Sequence, residues 1–125
     1  MANIRQFIQS DESAKDMVEF ADKFAGEICG SVSTSQIRNI YGTVKKLEMT
    51  GLNSKTYRQL LLLKPKLAYA KGREKNRKKQ GAYSQLETII GQAIDAIDPN
   101  RAETFTRFCQ FFEAILAYHK AHGGE

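Results

Sequence analysis

Apolar residues return at every third or fourth position through most of this chain, the period of a helix with one buried face. Met17, Phe20, Ala21, Phe24 and Ile28 form the first stripe, with Ser10, Asp11 and Glu12 placed to start it and Gly30 to stop it. The second runs through Ile37, Ile40, Tyr41, Val44 and Leu47, opened by Ser33 and Gln36 in capping-box spacing and closed by Gly51. Tyr57, Leu60, Leu61, Leu63 and Leu67 follow a cap at Asn53 or Ser54. They are apolar on most sides, which predicts a central helix that Pro65 kinks or restarts.

The cleanest pattern is Leu86, Ile89, Ile90, Ala93, Ile94 and Ile97, opened by Ser84 with Glu87 and broken at Asp98-Pro99-Asn100. A last helix starts at Asn100 with Glu103 and carries Phe105, Phe108, Cys109, Phe112, Ile115, Leu116 and His119 on one stripe. A second stripe on it, Phe111, Ile115 and Tyr118, marks either a helix buried at the centre or a face kept for another subunit. Phe111 and Tyr118 are the candidate subunit-interface residues. No segment alternates with period two and only two prolines occur. The pattern therefore predicts an all-α, single-domain bundle of five helices over residues 1–125. It leaves residues 1–9 as a flexible arm and residues 74–83 as a mobile basic loop.

Charge changes that picture. Lys64 to Lys79 holds eight Lys or Arg side chains against one acid, Glu74, a net of +7 in a chain whose total is +5. The remainder is therefore near neutral, at −2, and bears one strongly basic strip, the footprint of a polyanion partner. On a helix Lys66, Tyr69, Arg73 and Arg77 share one face, a rail of cations with an aromatic ring among them, suited to phosphates and a stacked base or ribose. Arg38, Lys45 and Lys46 lie off the second apolar stripe and extend the surface if that helix lies beside the strip. A membrane surface fits less well, because Leu67 and Ala70 are meagre anchors.

Catalytic chemistry is poorly supplied. His119 and His122 stand three residues apart near Glu113 and Glu125, but His119 continues the core stripe and reads as a packed residue. Gly-rich phosphate loops before a strand, H-E-x-x-H, paired cysteines and acidic two-metal clusters are all missing. The expectation is a protein with no catalytic residues, metal site, cofactor or small-molecule substrate. Ser33, Thr34 and Ser35 read as a helix cap with some capacity to hold an anion. Cys29 and Cys109 lack metal-ligand spacing, and Cys109 reads as a buried free thiol. Cysteine usage, the absence of a signal-peptide apolar region in MANIRQFIQS and the short aliphatic run Leu60 to Leu63 predict a cytoplasmic protein without membrane contact.

Three stretches together carry a family resemblance: VSTSQIRNIYGTVKKLE at 32–48, LLLLKPKLAYAKGR at 60–73 and FCQFFEAILAYHKAH at 108–122. In that order and spacing they resemble the small subunit of the type III-A CRISPR-Cas effector, the Csm complex of antiviral defence. The resemblance implies a non-catalytic, helical RNA-binding subunit. Several copies of it stack beside the crRNA-bearing subunits and line the channel where target RNA pairs with the guide. Its partners are then crRNA, target RNA, other Csm subunits and copies of itself. Carried over by position, Arg38, Lys64, Lys66, Lys71 and Arg73 become candidates for phosphate contacts, joined by Tyr69. Lys75, Arg77, Lys78 and Lys79 are candidates on charge alone, and Lys45 on its place off the second apolar stripe.

Other functions stay open on the residues themselves. The helix at 34–48 can serve as a recognition helix for duplex DNA, with Arg38, Asn39, Lys45 and Lys46 reaching base edges. His119 and His122 can be read as a small ribonuclease site, and the strip can meet an acidic protein.

Overall fold

A computed structural model describes residues 3–125. Among them every regular element is helical: α1 (Ile4–Gln9), α2 (Ala14–Ile28), α3 (Thr34–Thr50), α4 (Ser54–Leu61), α5 (Leu63–Arg73), α6 (Arg77–Asp95) and α7 (Ala102–Ala121), with a short 3-10 turn over Asp11–Ser13. The expected all-α bundle is present, with two differences in its parts. Residues 4–9 are a helix, and the helix expected over 53–67 is divided in two.

The caps explain most of the boundaries. Ser10 accepts from the Glu12 N–H, Ser33 from Gln36 and Asn53 from Thr56, each satisfying a donor that the first turn of a helix leaves free. Gly51 closes α3 at φ +92°, a conformation that costs glycine little and other residues more. Pro65 lies in the first turn of α5, where its missing N–H breaks no intrahelical bond. The chain therefore restarts after Leu62.

The last helix is the centre. α7 packs against α1, α2 and α3, and its Phe105, Phe108, Phe111, Phe112 and Ile115 are all buried. Both of its apolar stripes are consumed within the chain. This corrects the reading of Phe111 as a subunit-interface residue: it is fully buried, with the Phe7 ring 5.7 Å and the Phe20 ring 6.1 Å from its own. The cover comes from α1. Asn3 caps it through the Gln6 N–H, and Ile4, Phe7 and Ile8 go into the core, so residues 4–9 are not a flexible arm. Tyr118 is half-buried and packs at the edge of the same core.

The leucine-rich stretch is peripheral instead of central. Leu60, Leu63 and Leu67 are buried, while Leu61 and Leu62 remain exposed at the junction of α4 and α5. α5 lies on α6, and α6 in turn meets α1.

Arg107 of α7 fastens the N-terminal helix by donating to the Ile8 carbonyl at 3.2 Å and to Asp11 at 2.7 Å. That hydrogen bond and the adjacent guanidinium charge hold the Asp11 carboxyl below its ordinary range. The pair's stabilising effect is therefore present above the ordinary carboxylate range and is lost as pH falls through the depressed value. Asp11→Asn should lower the thermal midpoint at neutral pH and leave it unchanged in strong acid; an equal loss at both would place the effect elsewhere. Phe111→Ala should cost about 3–5 kcal/mol in a urea titration of the isolated protein. A variant of unchanged stability that loses self-association would instead restore Phe111 to an interface.

Candidate nucleic-acid interface

The basic strip occupies the outer side of a helical hairpin. α5 and α6 run antiparallel, and two ion pairs match their register: Lys64 with Asp95 near one end, Lys71 with Glu87 at 3.0 Å near the other. Gln80 closes the turn, its amide donating to the carbonyls of Lys71 and Glu74 at 3.3 Å. Only residues 74–76 separate the helices. The expected basic loop at 74–83 is therefore largely helix: Asn76 caps α6 through the Lys79 N–H, well before Ser84.

This geometry sorts the candidate cations. Lys66, Tyr69 and Arg73 lie on the exposed side of α5, at helical spacing of three and four. Tyr69 is 69 % exposed, and the Arg73 guanidinium sits 5.8 Å from its ring centroid, a cation–π arrangement that leaves the ring available. Arg77 does not continue that face, because the break at 74–76 places it on α6, where it is exposed with Lys78 and Lys79. Lys66, Arg73, Lys75, Arg77, Lys78 and Lys79 have no acidic partner within salt-bridge distance among the described residues. Lys64 and Lys71 are half-buried and paired, so their charge is already partly spent on holding the hairpin.

The α3 cations divide as well. Lys79 lines a hollow with Ser31 and Ser33, which brings the start of α3 beside the start of α6. Arg38 is exposed about one turn into α3. Lys45 lies two turns further on, held by Glu48 at 3.1 Å, and that hydrogen bond raises its affinity for its proton. Of the two, Arg38 lies closer along α3 to the end that adjoins α6, and Lys45 lies further from it. The acids that pair Lys64 and Lys71 lie 31 and 16 residues away in sequence, so no local pattern reveals them.

The histidines do not form a reactive pair. His119 is fully buried; its Nε2 donates to the Val32 carbonyl at 2.6 Å, and Nδ1 lies 3.5 Å from the Thr34 hydroxyl. His122 is exposed and turns to Asp22 on α2, 2.6 Å from a carboxylate oxygen. The chain closes over His119: a Cβ on Gly124 would fall 2.1 Å from the imidazole, so glycine is required there. Burial raises the Cys109 thiol far above its ordinary range, with the neighbouring Glu48 charge adding to the effect, and leaves it inert as a nucleophile. Among the described residues no cluster of three metal-ligating side chains occurs, and no helix is long and apolar enough to cross a membrane.

His119→Ala should lower stability by about 2–4 kcal/mol, because it leaves a void and an orphaned Val32 carbonyl. Its nucleic-acid affinity, corrected for the folded fraction, should match the wild type. Loss of an RNA-cleaving activity in a fully stable variant would contradict a structural role.

A protein-family model described as Csm2 Type III-A matches residues 11–125. No curated protein matches the chain, and no solved structure does.

Proposed function

The chain belongs to the Csm2 Type III-A family, the small subunit of the type III-A Csm effector, and on that premise we propose that it is a non-catalytic subunit that binds RNA by its backbone. In this reading the partners are crRNA, target RNA and other Csm subunits, and several copies line up along the guide–target pairing. The observation that carries it is the row of exposed cations without acidic partners, Lys66 and Arg73 on α5 followed by Lys75, Arg77, Lys78 and Lys79. Arg38 extends the row from α3, and Tyr69 offers a ring for stacking. Lys64 and Lys71 play the lesser part of fixing the hairpin, and Lys45 is peripheral.

Such a row holds phosphates without reading bases, which suits a subunit whose sequence specificity is delegated to guide–target pairing. About five phosphate contacts at roughly −0.7 each give a log–log salt slope of about −3 to −4 for single-stranded RNA. One copy should therefore bind weakly at physiological salt, and useful affinity comes from several copies on one strand.

Salt-dependent binding of wild type and the Lys66→Glu, Arg73→Glu double variant tests the reading, with folding checked by circular dichroism. Wild type should bind unrelated RNA sequences alike, and the variant should lose most of its affinity and flatten the slope. Lys71→Ala should affect RNA binding less than Lys66→Ala. A double variant that binds as well as wild type would reduce the strip to a solvated surface. Sequence-selective binding of duplex DNA lost in Arg38→Ala would instead favour helix 34–48 as a DNA reader.

A further inference from the structure

The opposite charge gathers on α2. A groove of about 430 Å³ between α2 and α6 has Phe20, Phe24 and Ile89 in its lining, with Glu27 and Lys23 among its polar neighbours. It shares Phe20 and Lys23 with a second hollow of about 310 Å³ that includes Asp16 and Glu19. Asp16, Glu19 and Glu27 are exposed, and among the described residues none has a cationic partner within salt-bridge distance. The result is an apolar trough with three uncompensated acids and one lysine.

The α5 ridge is its complement in both respects. Leu62, Lys66, Tyr69 and Arg73 follow one another at i, i+4, i+7 and i+11, all on one side. Leu62 is 42 % and Tyr69 69 % exposed, two of the few large apolar side chains left outside the core, and the two cations between and beyond them lack acidic partners. An RNA strand fits the ridge but not the trough, whose acids repel phosphate. A segment that is both apolar and cationic fits the trough, and this chain carries one.

We propose that the α5 ridge of one copy docks in the α2–α6 groove of a second copy, and that RNA displaces this contact by taking the same ridge. The displacement rests on the RNA reading above; the docking does not. Tyr69 supplies the apolar anchor beside the Phe20 and Phe24 rings, while Lys66 and Arg73 meet Asp16, Glu19 and Glu27. Ridge and groove are different surfaces, so each copy joined in this way keeps one of each free and the assembly extends beyond a pair. In the absence of RNA the strip is then masked by a neighbour's acids, which discourages binding to stray polyanions.

Sedimentation of the full chain over a concentration series tests the docking. Wild type should gain mass with concentration at low salt and lose it as salt rises. The ridge variant Lys66→Glu, Arg73→Glu and the groove variant Asp16→Lys, Glu27→Lys should each stay monomeric when folded, with association weakened by at least about tenfold. Mixing the two restores opposite charges across both contacts and should restore association. A wild type that remains monomeric at all concentrations, or a mixture that fails to associate, would overturn the proposal. The groove variant, whose ridge is no longer masked, should bind single-stranded RNA at least as tightly as wild type does, so failure of the docking and failure of the RNA reading give different results. A short RNA added to associated wild type should release monomer–RNA complexes; association that persists with RNA bound would overturn the displacement.

Discussion

The structure depends on covering both apolar stripes of α7. Phe105, Phe108, Phe111, Phe112 and Ile115 span too wide an arc of the helix to be buried against a single neighbour, and only the side through Glu103, Gln110, Glu113 and Lys120 faces water. The chain answers by wrapping α1, α2 and α3 around it, and the short α1 is the piece that completes the enclosure through Phe7. Arg107 then ties the end of that piece back to α7 itself. Cover on these terms leaves α7 only a narrow polar stripe of mixed charge at the surface, and the concentrated positive charge falls to the outer helices.

That consequence organises the charges. With the core complete around α7, the α5–α6 hairpin needs to bury only its inner side, at Leu63, Leu67, Leu86 and Ile90. Its outer side is free to carry cations at a density that a central helix could not tolerate. Two of those cations are drawn into pairs with Asp95 and Glu87 and hold the hairpin in register. The others remain available, and on the proposed reading they are the part that meets RNA.

Much of this was legible in the residues. Period and caps locate α2, α3, the start of α4 and most of α7, because Ser33, Asn53 and Gly51 act locally and need no tertiary partner. The short α1 was not legible: six residues with Ile4, Phe7 and Ile8 do not complete enough turns to show a period. The first turns of α6 were hidden by their charge, since RKKQ carries no apolar stripe although Asn76 caps it and Gln80 anchors it. Leu61 misled in the opposite direction, as a leucine that Pro65's restart leaves facing water. For the site, the strip itself was plain from composition. Which lysines are spent on acids depends on contacts far apart in sequence, and Arg77 left the shared face because three residues break the helix before it.

The central claim, that the outer side of the α5–α6 hairpin meets RNA by its backbone, is tested most directly by amide chemical-shift mapping. The ¹⁵N-labelled protein would be titrated at low salt, which preserves phosphate contacts, and at low protein concentration, which limits association, with two single-stranded RNAs of unrelated sequence. The account predicts the same set of shifted amides for both, covering 66–79 and the start of α3 near Arg38, with α2 unmoved. Shifts that differ between the two RNAs, or that map to α2 and α7 while 66–79 stays unchanged, would contradict it.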